Sequence, residues 1–223
     1  MGIFGSAQSA INAQVKPTAS YLQAGIHNVK FVSVEKGSNE AFNTVDFTFE
    51  DANGAIHIER MFEPRSGERQ PNRFNTSVED PSQAEQFLAK IMHMMSAINP
   101  EMYRRIQAGE VKFDPSDFNV LVDCVKKIFN PKAGVELQIK LLPNGRFVGF
   151  PGFPAAIDKN GNLYLRTSFI GNDLTLSAWE KAAIDKAAQA KPTQMPSTDK
   201  SELDSLGLDN DFTTEDDADD LPF

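Results

Sequence analysis

Three groups of residues have types and spacings that could do chemistry, and all three point to binding rather than to bond-making. The first is Asp216-Asp217-Ala218-Asp219-Asp220-Leu221-Pro222-Phe223. Leu, Pro and a C-terminal Phe behind a carboxylate cluster offer a ring and an α-carboxylate together, which is the ligand of an apolar pocket rimmed by Lys or Arg. The second group is Arg60, Phe62, Arg65, Arg69, Arg73 and Phe74, with four arginines over fourteen residues and with Glu63 and Glu68 diluting their charge. The third is Lys132, Lys140, Arg146, Phe147, Phe150 and Phe153, joined by Tyr164 and Arg166 on a later strand. Cations beside exposed rings are what a binder of single-stranded nucleic acid needs, one to meet phosphates and the other to stack on bases. The chain has 17 Phe, so most of them must be core, and only those flanked by Arg or Lys on wet faces or loops are candidates.

Catalytic patterns are weak by comparison. The sequence has no Gly-x-x-x-x-Gly-Lys phosphate loop and no Gly-x-Ser-x-Gly elbow, the signatures of phosphate-cradling and of a strained serine nucleophile. Cys124 sits in a helical apolar stripe and reads as core. His27 and His57 fall on predicted strands, where packing roles are expected. Asp158-Lys159-Asn160-Gly161-Asn162 has the look of a calcium loop, but Leu163 and Phe169 stand where Gly and a bidentate Glu are required, so it reads as a turn. Three scattered histidines and one cysteine give neither a zinc site nor a disulfide. No enzyme activity, metal or cofactor is therefore expected. A metal-dependent nuclease would need carboxylates converging in space, which spacing alone does not reveal.

The net charge of −9 is unevenly distributed. Residues 199–223 hold ten acids against one base, Lys200, leaving 21 acids and 21 bases ahead of them. A balanced body thus carries an anionic tail. No run of eighteen apolar residues exists and the start, MGIFGSAQSA, lacks the pattern of a secretory signal, so a cytoplasmic protein without a membrane partner is expected.

Hydropathy periods place these groups on elements. Residues 1–19 read as an arm. Gly25 to Glu35 is a strand with a bulge at Gly25; Val45, Phe47 and Phe49 alternate with polar residues on a second; Asp51-Ala52-Asn53-Gly54 turns the chain into a third, Ala55 to Phe62, with Ile56, Ile58, Arg60 and Phe62 on one face. After a loop, Asp80-Pro81-Ser82-Gln83 reads as the N-cap of a helix with the stripe Phe87, Leu88, Ile91, Met92, Met95, Ile98. Asn99-Pro100 starts a second helix, and Asp114-Pro115 opens a third running to Phe129. Val135 to Leu141 and Arg146 to Phe150 form a second hairpin, Leu163 to Phe169 a further strand, and Ser177 with Glu180 a capping box for a last helix. Residues 191–210 mix Pro, Ser, Thr and charge and read as a linker, with 211–223 as the acidic tip.

Three strands, a helical block over about 80–130, and then at least two strands make a mainly β, α+β domain over 20–190. Two topologies accommodate that order: a five-stranded barrel of the OB type with its helical insertion between strands three and four, or a β-sandwich with a helical insertion.

The tip Asp216-Asp217-Ala218-Asp219-Asp220-Leu221-Pro222-Phe223 resembles that of the single-stranded DNA-binding proteins of bacteria and phages, whose acidic tails end in apolar-Pro-Phe. The close match covers this tip; the rest of the likeness is a strand-rich domain followed by a linker. The resemblance implies an OB-fold domain that coats single-stranded DNA and a tip that recruits replication, repair and recombination enzymes, such as a polymerase, primase, helicase or nuclease. The larger domain, the helical block from Pro81 to Asn130 and the short linker depart from the bacterial pattern. They favour a phage-type protein, in the host cytoplasm, and a monomer or homodimer over the bacterial tetramer. The tip's carboxylates are also expected to compete with DNA for a cationic groove. The alternative is a scaffold or adaptor that uses the tip on partner proteins and binds no DNA.

Overall fold

In the computed structural model of the chain, residues 20–37, 42–73, 79–113, 115, 117–145 and 147–189 are described. The arm (1–19), linker (191–210) and acidic tip (211–223), with Asp216, Asp217, Asp219, Asp220, Leu221, Pro222 and Phe223, lie outside the described residues, as do Phe74 and Arg146. By contacts the chain divides into two units, Met1–Ala188 and Gln189–Phe223.

The elements follow the predicted order with additions: Gln70–Pro71 forms a short strand inside the expected loop, Glu79–Asp80 and Ala155–Ile157 are further short strands, and the expected strand Leu163 to Phe169 stops at Leu165. Strands β1 (Gly25–Lys36), β2 (Thr44–Asp51) and β3 (Ile56–Phe62) form an antiparallel meander. Two short strands, β4 (Gln70–Pro71) and β5 (Glu79–Asp80), pair ahead of helices α1 (Gln83–Ile98), α2 (Pro100–Gln107) and α3 (Phe118–Phe129). Strands β6 (Glu136–Asn144), β7 (Phe147–Gly149), β8 (Ala155–Ile157), β9 (Leu163–Leu165) and β10 (Ile170–Gly171) come next, then helix α4 (Ala178–Gln189). The main sheet is ordered β10-β6-β1-β2-β3, with β7 also paired to β6, and its ladders are antiparallel. A parallel bridge joins Tyr21 to Ile56. The protein is thus mixed α/β, with a mostly antiparallel sheet and four helices among the described residues. Among those residues no ladder joins β3 to β7 or β10, so backbone pairing does not close the sheet into the expected barrel. No helix among them is long and apolar enough to cross a membrane.

The core is a seam of phenylalanines between sheet and helices. Phe31 meets Phe49 and Phe129, Phe47 meets Phe129 at 5.3 Å, and Phe150 sits against Phe49 and Phe169 at 5.7 and 4.8 Å. Edge-to-face and tilted pairs at these distances add to the apolar area they bury. Polar side chains stitch helices to strand backbone where no strand is available. Asn130 beyond α3 accepts from Val34 N–H at 2.7 Å and donates to Val34 C=O at 3.1 Å, as a neighbouring strand would. Satisfying both groups matters because an unpaired buried amide costs about 1–3 kcal/mol.

Local details correct the sequence reading in four places. The bulge in β1 falls at Val32, between Phe31 and Ser33, while Gly25 begins the strand with a positive φ. Ser82, not Asp80, caps α1: Ser82 Oγ accepts from Glu85 N–H and Glu85 returns a bond from Ser82 N–H, while Asp80 is held in β5 opposite Gln70. Both are cap signals, and the reciprocal box satisfies two helix-end donors where a lone Asp satisfies one. The α1 stripe is rotated, burying Gln86, Phe87, Ile91, Met94, Met95 and Ile98 and leaving Leu88 exposed. Cys124 is half-buried rather than core. The Ser177–Glu180 box forms as read, and the Asp158 loop is a turn in which Asp158 Oδ1 accepts from the N–H groups of Asn160 and Asn162.

Candidate nucleic-acid interface

The faces of β3 are inverted relative to polarity. His57, Glu59 and Met61 point inward, and Ile58, Arg60 and Phe62 point out. Period two fixes this set but not which side is buried. The exposed side is therefore an apolar strand face with one guanidinium on it. Arg60 is held by its cross-strand neighbour Asp46, which accepts from Nε at 3.0 Å and Nη2 at 2.6 Å; Nη1 has no partner among the described residues. Phe62 is 54% exposed and stands edge-on to Phe42 at 6.0 Å.

Between β3, α1 and the chain after β7 lies a groove of about 420 Å³, lined by Arg60, Phe62, Arg65, Gln83, Lys90 and Phe153 among others. It brings Arg60, Phe62 and Arg65 of the second group together with Phe153 of the third. Arg65 is exposed, with no ion pair among the described residues. Phe153 is 75% exposed. Two rings and two surface guanidiniums thus converge on one open cleft.

The other candidates separate from it. Lys140 and Phe150, expected on a wet strand face, are each only 3% exposed. Lys140 forms a buried ion pair with Glu180 at 2.7 Å and donates to Thr167 Oγ1 and Thr175 C=O; Phe150 is in the ring seam. Both are corrected from the DNA-contact set: Lys140 because β6 is covered on both faces, with Ile139 and Leu141 buried on one and Lys140 and Leu142 on the other, and Phe150 because the chain past β7 turns it into the core against Phe49 and Phe169. Arg69 is clamped by Glu85 at 2.6 Å, as Arg60 is by Asp46, with Glu79 at 3.8 Å as well, and unlike Arg60 it does not line the groove. Arg73 is exposed and takes part in an interaction of its own. Lys132 lines a different cleft, with Arg105 and Lys127 at the ends of α2 and α3. Phe147 is exposed on β7, Tyr164 on β9 and Arg166 just after it. The Arg166 N–H donates to Pro154 C=O, which sets this hairpin beside Phe153.

Glu59, Lys90, Gln86 and Phe42 are absent from the sequence-derived site. Glu59 is buried on the inward face of β3, where its carboxylate accepts from Lys90 Nζ at 2.9 Å, Phe150 N–H at 2.9 Å and the His57 ring at 3.2 Å. Burial pushes its pKa up, but His57, Lys90 and the Phe150 amide together outweigh that and hold it below the ordinary 4.5. Gly149 fits closely here, since a Cβ would lie 3.1 Å from Glu59 Oε2. The legible signal was a His-x-Glu pair on the same face as Met61, which demands a cation from another element.

Lys140→Met should strand the buried Glu180 carboxylate. Faster hydrogen exchange across α4, which buries only Glu180, is the expected readout.

Among the described residues no group of three or more His, Cys, Asp or Glu is placed to hold a metal ion. No protein-family model matches the chain, and no curated protein matches it.

Proposed function

We propose that the chain binds single-stranded DNA without catalysing a reaction on it, along the groove between β3, α1 and the Phe153 loop. The observation that carries this is the convergence of Arg60, Phe62, Arg65 and Phe153, drawn from two distant parts of the chain, on one open cleft. Sequence-tolerant binding requires such a pairing of guanidinium and exposed ring. We further read the sheet as an OB-type barrel left open at one seam. A meander whose first strand also pairs with the strand after the helical block is the arrangement such a barrel requires, and Glu59 on β3 accepting from Phe150 N–H just past β7 spans the remaining seam by a side chain. The acidic tip Asp211–Phe223, outside the described residues, would recruit replication and recombination proteins, in the manner of the phage-type single-stranded DNA-binding proteins that it resembles.

Fluorescence anisotropy with labelled oligo-dT over a salt series tests the reading. Binding should exceed that of a duplex of equal length, should leave the DNA uncut with magnesium present, and should weaken with salt by a log-log slope of about 0.7 per phosphate neutralised. Arg65→Ala should reduce that slope by about 0.7. No binding to oligo-dT in dilute buffer would overturn the proposal in favour of an adaptor that uses only the tip.

A further inference from the structure

Phe153 stands on a loop, Phe150 to Ala155, that is held at both ends by groups from outside it. At the first end Phe150 N–H donates to Glu59, whose other oxygen accepts from Lys90. At the second, Gln86 makes two bonds to one residue: Ala155 N–H donates to Gln86 Oε1 and Gln86 Nε2 donates to Ala155 C=O, both at 2.9 Å. Gln86 and Lys90 are four residues apart on α1 and so share a face. Gln86, Glu59, Phe150, Pro154 and Ala155 are all buried, whereas Gly152 and Phe153 at the crest are exposed. The helical insertion therefore serves as a bracket whose two polar arms fix the ends of a short span and leave its aromatic crest in the groove.

We propose that Gln86 is a positioning residue for single-strand binding, acting through Phe153. This rests on the groove being the DNA site. The physical argument is pre-organisation. Backbone held in one conformation before the ligand arrives need not be ordered on binding, so the stacking contact reaches the measured affinity in full. Water bonds poorly to the buried Ala155 groups, so a side chain without an amide leaves them unpaired and the loop end unfixed.

The test is a double-mutant cycle on the full chain, read by oligo-dT anisotropy. Gln86→Leu should weaken binding about tenfold in the wild-type background and change it by less than about two-fold in the Phe153→Ala background. A merely structural glutamine would cost the same factor in both backgrounds, and that result overturns the proposal while leaving the groove reading intact. If Phe153→Ala alone leaves affinity unchanged, the groove reading fails and takes this proposal with it. Should Gln86→Leu not fold, hydrogen exchange on the wild-type chain decides. The Phe150 and Ala155 amides should be as slow without oligo-dT as with it; protection that appears only on adding oligo-dT would mean that DNA, not α1, orders the loop.

Discussion

The double variant Phe62→Ala/Phe153→Ala should bind oligo-dT about 30-fold more weakly or worse, with an unchanged melting temperature. Each ring offers one stacking platform, and a stacked base contributes about 1–3 kcal/mol, so losing two removes at least about 2 kcal/mol. The fold should tolerate the change because both rings are largely exposed and neither belongs to the Phe31–Phe49–Phe129–Phe150 seam; Phe62 touches Phe42, itself exposed. The salt dependence should stay as in the wild type, since no cation is removed. Anisotropy titrations at two salt concentrations, beside a thermal melt, separate these effects. Equal affinity for the variant and the wild type would place the bases elsewhere.

Glu59→Gln carries the largest expected effect on stability. It leaves the Lys90 ammonium, only 12% exposed, without a counter-charge, and breaking a buried pair in this way costs about 3–5 kcal/mol. For a domain of this size that is a fall in melting temperature of about 6–20 °C. The pH dependence has a definite sign. The folded-state pKa of Glu59 lies below its ordinary 4.5, so the carboxylate's stabilisation is fully present above 4.5 and is lost as pH falls through the folded-state value. The gap in melting temperature between wild type and Glu59→Gln should accordingly be widest near neutrality and narrow below pH 4.5. Glu180 shifts the same way, with burial raising its pKa and the Lys140 and Ser177 hydrogen bonds outweighing that, so both proteins retain an acid limb of the Glu180 type. A gap that stays constant to low pH would remove Glu59 as the clasp between β3, α1 and the post-β7 loop.

What the sequence made legible follows from what period and turn chemistry encode. The β2–β3 hairpin, the helix ends at Asn99 and at Ser177–Glu180, and the set Ile56, Ile58, Arg60, Phe62 on one face are local properties, and each appears in the fold. The failures share one cause. Arg60 and Lys140 look alike in sequence, each a cation alternating with apolar residues on a strand. They differ in what surrounds them: among the described residues Arg60 bonds only to Asp46 and stays exposed, whereas Thr167, Thr175 and Glu180 bury Lys140. Phe150 and Phe153 are three residues apart, yet one is core and the other sits at a loop crest, because Glu59, 91 positions before Phe150 in the chain, fixes where the loop leaves the core. Gln86 reads as an ordinary helical glutamine until α1's inward face is seen to be rotated toward it. Coverage by distant segments is a tertiary fact, and alternation along one strand carries none of it.

The proposed binding mode sets bases against Phe62 and Phe153 in one groove. Photocrosslinking of the full chain to an oligonucleotide carrying 5-iodo-deoxyuridine, followed by mapping of the crosslinked peptides, reads out those contacts. Crosslinks should concentrate on the peptides containing Phe62 and Phe153 and disappear in the double alanine variant. Crosslinks confined to the Arg105–Lys127–Lys132 cleft, or spread without preference over the surface, would contradict it.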